Sequence, residues 1–543
     1  MLLTPIVLFV ILMILLYVPP VQNFIRKQAT AIASDATGMN ISVERIDLRF
    51  PLNLLVRGVQ VVQSEADAAD VQHPDTLLNL GSLNVSVQAW PLLQGRVEVN
   101  DITFQQVAVN SSNLLEGMHI KGTLGRFFLE SHGIDLKKED AILNNVELSN
   151  THMQVMLADT TETPKDSTET AVNWRIALHN LKLKNVSVDL QMPLDSMALG
   201  ANIGDASIED ANVDLKRQFY GWRRFTLTES AVNYDFGMAP PVEGFDASHI
   251  ALRDIRIGID SVMACGRDMN AIIREFSMYD RSGLTVTSLT GRLFADSTLI
   301  RIPYLQLKTP HSDMDLTAQT YWKLVDIPTT GHLSARFNAN IGKQDVLLFA
   351  GGLPETFKEA YPFRPLVIHA GTEANLNQMQ ISRFTAELPG AFFLSGGGEL
   401  WNLTDSLTRN GGLDFEMQTQ DLNFLTGLTG VTPDGSIIVP DSMNLVARLG
   451  LDGPQCNAIL KIKEGEGSLG LDAAYNLNTE VYHADLAIDA LQLHHFLPKD
   501  SIYTLTARVT AKGQGVDVAS HKTIARVEAK LDELPVSYTH LTL

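Results

Sequence analysis

Few residues in this chain have types and spacings that could do chemistry. His494-His495 is the one adjacent histidine pair. Neighbours on a strand point to opposite faces, so the pair makes a poor metal clamp. Gly396-Gly397-Gly398 and Gly351-Gly352 are not followed by the Lys-Ser/Thr of a phosphate cradle, and they read as turns or points of close backbone approach. Cys265 and Cys456 fit no metal spacing, and a single distant pair makes no disulfide framework, so both read as free, buried thiols. Carboxylates are abundant, but on the wet faces of strands they serve solvation. The sequence therefore predicts no catalytic residue, no cofactor, no metal site and no enzyme.

The repeated pattern is apolar instead. A motif of Asn or Asp, then apolar, x, apolar, two residues, apolar, x, apolar runs through the chain. It reads Asp101-Ile102-Thr103-Phe104 with Val107 and Val109, and returns as Asn180-Leu181-Lys182-Leu183 with Val186 and Val188. Asp205-Ala206-Ser207-Ile208 with Ala211 and Val213 is a weaker copy, and Asn145-Val146-Glu147-Leu148 and Asp254-Ile255-Arg256-Ile257 match its first half. Period-two alternation puts these apolar side chains on one face of each strand. The two-residue step would flip that face unless it is a turn or bulge. One face must then carry Ile102, Phe104, Val107, Val109, Leu181, Leu183, Val186 and Val188, which are the candidate lining residues. The copies recur irregularly, a quasi-repeat without the fixed period of a solenoid.

The elements that position this face follow from the same reading. Residues 2–18 (LLTPIVLFVILMILLYV) carry no charge. As a helix they span about 25 Å, slightly short of a ~30 Å hydrocarbon core. No Lys or Arg precedes the run and Pro19-Pro20 follows it, which favours an uncleaved transmembrane anchor over 1–20 rather than a signal peptide. Val21, Phe24, Ile25, Ala29 and Ile32 share one helical face, so 21–38 reads as an amphipathic helix that either caps a β structure or lies on a membrane. Amphipathic strands then fill 39–158, 172–342 and 366–535. A polar linker or loop at 159–171 and a partly helical break at 343–365 separate them. The tail 536–543 breaks the alternation and reads as non-native, and the unprotected last strand marks the chain as a fragment.

Composition excludes further classes. The net charge of −20 is spread along the chain, which argues against nucleic acid and against docking on anionic lipid by charge. Charged residues make up only 19% while hydrophobic ones make up 45%. Such a chain has more apolar surface to bury than a thin sheet covers by itself.

The stretch 36–110 carries a resemblance. Gly38, a strand, Pro51-Leu52, Gly58-Val59, a Leu-rich strand, then Trp90-Pro91-Leu92-Leu93-Gln94-Gly95 and a valine-rich strand follow one another. This order resembles the N-terminus of the AsmA-like family, and within it the TamB-like translocation and assembly module proteins. The resemblance implies a mostly β protein with an N-terminal transmembrane helix, followed by an elongated repeating β-groove (a β-taco) of amphipathic strands. It implies a single-pass anchor in a bacterial inner membrane with the bulk in the periplasm, and a role in outer-membrane biogenesis. Phospholipid would be the cargo, its acyl chains lying on the apolar lining as it moves between inner and outer membranes. A second reading is a periplasmic scaffold for assembly or secretion of outer-membrane proteins and autotransporters, with an outer-membrane β-barrel partner. A basic N-terminus and a TamB-type C-terminal domain are missing from the pattern.

Overall fold

The computed structural model describes residues 19–37, 39–49, 53–62, 76–88, 99–111, 117–135, 138–157, 173–429, 435–499, 502–515 and 522–533. The apolar run 2–18, the Trp90–Gly95 segment, the loop 159–171 and the tail 536–543 lie outside them. Among the described residues no helix is long and apolar enough to cross a membrane. The chain divides into two compact units, one built from 1–241 and 246–286, the other from 242–245 and 287–543. Both are mostly β.

In the first unit the strands follow one another as a meander, each pairing with the next in sequence, from Asn40–Arg49 to Thr285–Val286. Among the described residues all pairs of this unit but one are antiparallel. The exception is Asp140–Leu157, which runs parallel to Arg175–Met192 in a register that sets Asn145 beside Asn180 and Leu148 beside Leu183. Two copies of the sequence motif thus lie side by side.

Five of these strands are 18 residues long, among them Met118–Asp135, Arg175–Met192 and Met197–Asp214. That is far longer than the usual five or six. Left-handed bulge residues on four of the five, Asn150, Asn185, Asp210 and Glu229, and Gln106 on the shorter Val99–Asn110, make this length compatible with one apolar face. Gln106, Asn150, Asn185 and Asp210, each the second residue of the two-residue step, have φ of 55°, 52°, 51° and 51°. The left-handed residue absorbs one position, so Phe104 and Val107 return to the same side although three apart in sequence. Asn and Asp take this conformation at the smallest cost after glycine.

The bulges are in register. Gly81, Gln106, Gly125, Asn150, Asn185, Gly204 and Glu229 fall at one level of successive strands, between the paired residues on either side. The antiparallel partner of a bulged residue is repeatedly a glycine. A Cβ on Gly125 would lie 2.8 Å from the Asn150 Cβ, and one on Gly204 would lie 2.4 Å from the Glu229 carbonyl oxygen. The row forms one line across seven successive strands, and Asp210 lies outside it, opposite His179.

The helix Pro19–Thr37 lies against the first strand, Asn40–Arg49. Its two leading prolines occupy a first turn whose N–H groups need no intrahelical partner. Arg26 Nη1 donates to the carbonyls of Val43 (3.0 Å) and Glu44 (2.8 Å), Gln22 Nε2 donates to Leu48 (3.3 Å), and Ser34 Oγ accepts from the Ile41 N–H (3.1 Å). These bonds occupy backbone groups that an edge strand would otherwise present to another chain. The expected helix is therefore a cap on the sheet edge. Phe24, assigned from sequence to its apolar face, is 62% exposed.

The second unit is another antiparallel meander, with most strands 8–13 residues long, from Ser288–Ala295 to Lys522–Glu533. The expected helical break is two short helices, Lys343–Phe349 and Glu355–Ala360. With the 3₁₀ segment Asn423–Thr429 they gather Phe357, Tyr361, Leu388, Ala391, Leu422, Phe424 and Met443 into a buried cluster. Leu388 and Ala391 are each 1% exposed.

Candidate functional site: an apolar sheet face

The eight candidate residues sit on two strands, Val99–Asn110 and Arg175–Met192, with two others between them. Strand register places them in common rows. One row runs Val85, Ile102, Leu129, Val146, Leu181, Ile208, Phe225, Ile259 across successive strands. The next runs Leu83, Phe104, Phe127, Leu148, Leu183, Ala206, Leu227, Ile257. Beyond the bulge line Val107 and Val186 share a row with Leu124, Thr151 and Ile203, and Val109 and Val188 share one with Gly122, Met153 and Ala201. The structure brings all eight onto one face.

Their burial differs along that face. Val186 is 6% exposed, whereas Val109, Met153 and Val188 are 38%, 38% and 36% exposed. Ile102, Phe104, Val107, Leu181 and Leu183 are half-buried. The Phe104 and Phe127 rings lie 6.0 Å apart at 49°, a favourable tilted pair. Phe127, Leu129, Ile208 and Phe225 belong to this lining and were not among the candidates. They sit on strands that match the motif loosely or not at all, and the signal that marks them is plain period-two alternation.

The opposite face is polar in equally regular rows. Glu130, Asn145, Asn180, Glu209, Arg224 and Asp260 occupy one level of six strands. Asn145 Nδ2 donates to Glu130 (2.6 Å), Asn180 Nδ2 to Asn145 (3.3 Å), and Arg224 Nε to Asp260 (3.3 Å). On the same strands Arg223 bridges Glu209 and Asp210, both at 2.7 Å. The hydrogen bond from Arg223, helped by His179, holds the Asp210 carboxyl below its usual value.

The second unit repeats the alternation. Leu413, Leu449, Ala458, Ala473 and Ala484 form a row. With Leu451, Cys456, Tyr475 and Tyr482 they border an apolar hollow of about 570 Å³. The alanines leave the room that larger side chains fill elsewhere. At the other end of the strands the face is covered, because Met417, Leu445 and Ile462 pack under the cluster around Phe357 and Phe424. Gly396, mid-strand, leaves space for a neighbouring ring, since a Cβ there would lie 2.3 Å from Phe415 Cδ1.

The polar candidates are placed as follows. His494 and His495 are not strand neighbours but lie on the short helix Leu493–Phe496, which corrects the sequence reading. Leu493 and Phe496, three apart, turn one side of a helical turn inward, and Phe496 packs on the cluster. His495 Nδ1 is 2.6 Å from the buried Glu464, and His494 stacks on Tyr503 with centroids 4.0 Å apart. Both cysteines are free thiols, but half-buried on strands rather than buried as expected. Among the described residues no group of three His, Cys, Asp or Glu side chains could hold a metal ion.

No protein-family model matches this sequence, and no curated protein matches it either. The functional reading rests on the sequence pattern and this geometry.

Proposed function

We propose that the chain is a TamB-like member of the AsmA-like proteins and acts as a conduit for phospholipid between inner and outer membranes. Residues 2–18 would hold it in the inner membrane, and the sheet would stand in the periplasm as an elongated groove. The observation that carries this reading is the run of registered apolar rows across successive strands of the first unit, backed by a largely polar face. Val109, Met153 and Val188 are more than a third exposed within those rows. An ordinary closed core would seal such side chains. Acyl chains would cover them instead, and each methylene taken from water contributes roughly 0.8 kcal/mol. No charged clamp is needed for that gain, which fits a lining without ionised groups and weak selection for headgroup.

The test is the lipid that accompanies the protein. The region beyond the anchor, residues 39–535, is purified without detergent, and its organic extract is measured by mass spectrometry. Phospholipid in stoichiometric amounts supports the conduit. A lipid-free protein that captures an outer-membrane β-barrel protein would favour the assembly scaffold and sink the conduit.

A further inference from the structure

On the polar face of the second unit some arginines pair with carboxylates and others do not. Arg448 meets Asp414 at 3.0 Å and Arg508 meets Asp485 at 2.8 Å. Arg336 and Arg383 have no ion pair or hydrogen bond among the described residues. The two belong to strands Leu333–Ile341 and Gln378–Leu388, on either side of Leu366–Ala374. Register sets Arg336, Gly371 and Arg383 at one level.

Both positions read Arg-Phe, Arg336-Phe337 and Arg383-Phe384. The phenylalanines belong to the alternate, apolar set, and the guanidinium groups come out on the wet face. Gly371 between them has no side chain, which leaves a hollow of about 420 Å³. The register shift between Ile381 and Phe384 brings Ser382 out beside Arg383, where both are exposed. Asn338 and His369 complete the wall, with His369 Nδ1 2.8 Å from the Asn338 side-chain oxygen. No carboxylate lines this hollow, and the adjoining one that Arg383 also borders holds Asp414 and Glu416.

We propose that this hollow binds a small oxyanion, a phosphate or phosphate ester, held between the guanidinium groups of Arg336 and Arg383. Guanidinium forks match the oxygens of phosphate and form charge-assisted bonds roughly twice as strong as neutral ones. The glycine lets the anion sit down between the two forks, and no carboxylate lines the hollow to compete for them as Asp414 and Asp485 do for Arg448 and Arg508. The site lies on the face of the second unit opposite its own apolar side chains, so it stands or falls independently of the lipid-conduit reading.

The test uses the full chain in nonionic detergent at low salt. It is titrated calorimetrically with inorganic phosphate, with glycerol 3-phosphate and with a short-chain phosphatidic acid below its micelle concentration. Saturable binding that weakens at least tenfold in R336Q/R383Q, and is unchanged in R448Q, is the expected result. Partial retention in R336K/R383K would show that charge remains while the fork is lost. Equal affinity for all three probes would identify free phosphate chemistry, and tighter binding of phosphatidic acid would identify a headgroup. Absence of saturable binding to any probe overturns the site. So does unchanged binding in R336Q/R383Q, provided its circular dichroism matches the parent.

Discussion

Asn150 and Asn185 stand side by side on parallel strands, with Asn185 Nδ2 3.2 Å from Asn150 Oδ1 and both backbones left-handed at φ of 52° and 51°. This pair is the middle of the bulge line and the point where two motif copies meet. It ties the two-residue step in the sequence to the single apolar face in the fold.

Replacement of Asn185 separates conformation from side-chain bonding. Asn185→Val forces a β-branched residue into the left-handed region and should cost about 1–2 kcal/mol. Asn185→Gly removes only the exposed amide bond, and its easier backbone offsets the loss. Urea unfolding, followed by hydrogen exchange in Arg175–Met192, should rank them parent ≈ Gly above Val. Equal stability of the Val and Gly variants would show that the bulge carries no backbone requirement.

The lining predicts a split between two neighbouring positions. Val186→Asp puts a carboxylate at a 6% exposed site and should destabilise the first unit by about 3 kcal/mol or more. Val188→Asp, two residues on at 36% exposure, should leave the fold within about 1 kcal/mol of the parent. Only the second variant then serves to test lipid passage in a folded protein. Thermal unfolding of both checks the assignment. Matched melting temperatures would mean that the burial gradient across this face is not felt energetically.

Asp280 gives the first unit an acid limb. It is 2% exposed, accepts from the Ala251 N–H (2.9 Å) and the Ser282 N–H (2.8 Å), and also bonds the Ser282 hydroxyl. Burial alone would push this carboxyl up. The hydrogen bonds from Ser282, Ala251 and Arg281 outweigh it and hold the carboxyl below its usual value. A depressed folded value means a contribution fully present above about 3.9, the unfolded value, and lost as pH falls through the folded one. Asp280→Asn should therefore be less stable by about 1–3 kcal/mol at pH 7, with the difference shrinking below pH 4. Urea midpoints between pH 7 and 2 would reveal it, and a difference constant with pH would remove Asp280 from the acid response.

Arg26 protects an edge. Arg26→Gln loses the donors to Val43 and Glu44, so the helix Pro19–Thr37 should loosen from the first strand. Faster amide exchange in Asn40–Arg49 and concentration-dependent association in sedimentation are the expected outcomes. Unchanged exchange and a constant sedimentation coefficient would show that other contacts hold the cap.

Much of this fold was legible because alternation is local. The motif copies mark strands, and Phe104 and Val107, three apart yet both apolar, announce the bulge at Gln106. The register of the bulges was not legible, since it depends on which strands pair. The parallel pairing of Asp140–Leu157 with Arg175–Met192 breaks a meander that sequence order alone would continue. The candidate lining was found on the strands with the cleanest motif and missed on those, such as the strand of Phe127 and Leu129, where glycine and charge interrupt it. Arg336 and Arg383 are far apart in sequence and meet only through the strand between them. His494 and His495 were read on a strand because Leu493 and Phe496 give a single helical turn, too short for a periodicity signal.

The central claim is that the apolar face of the first unit is covered by lipid. A photoreactive amino acid at Val109 or Val188, both exposed and both on that face, tests it directly in the membrane-bound chain. Illumination in cells followed by mass spectrometry should yield adducts with phospholipid acyl chains at both positions, and none from a probe at Lys182 on the polar face. Adducts to protein alone at Val109 and Val188 would mean that the face is sealed by polypeptide and would contradict the account.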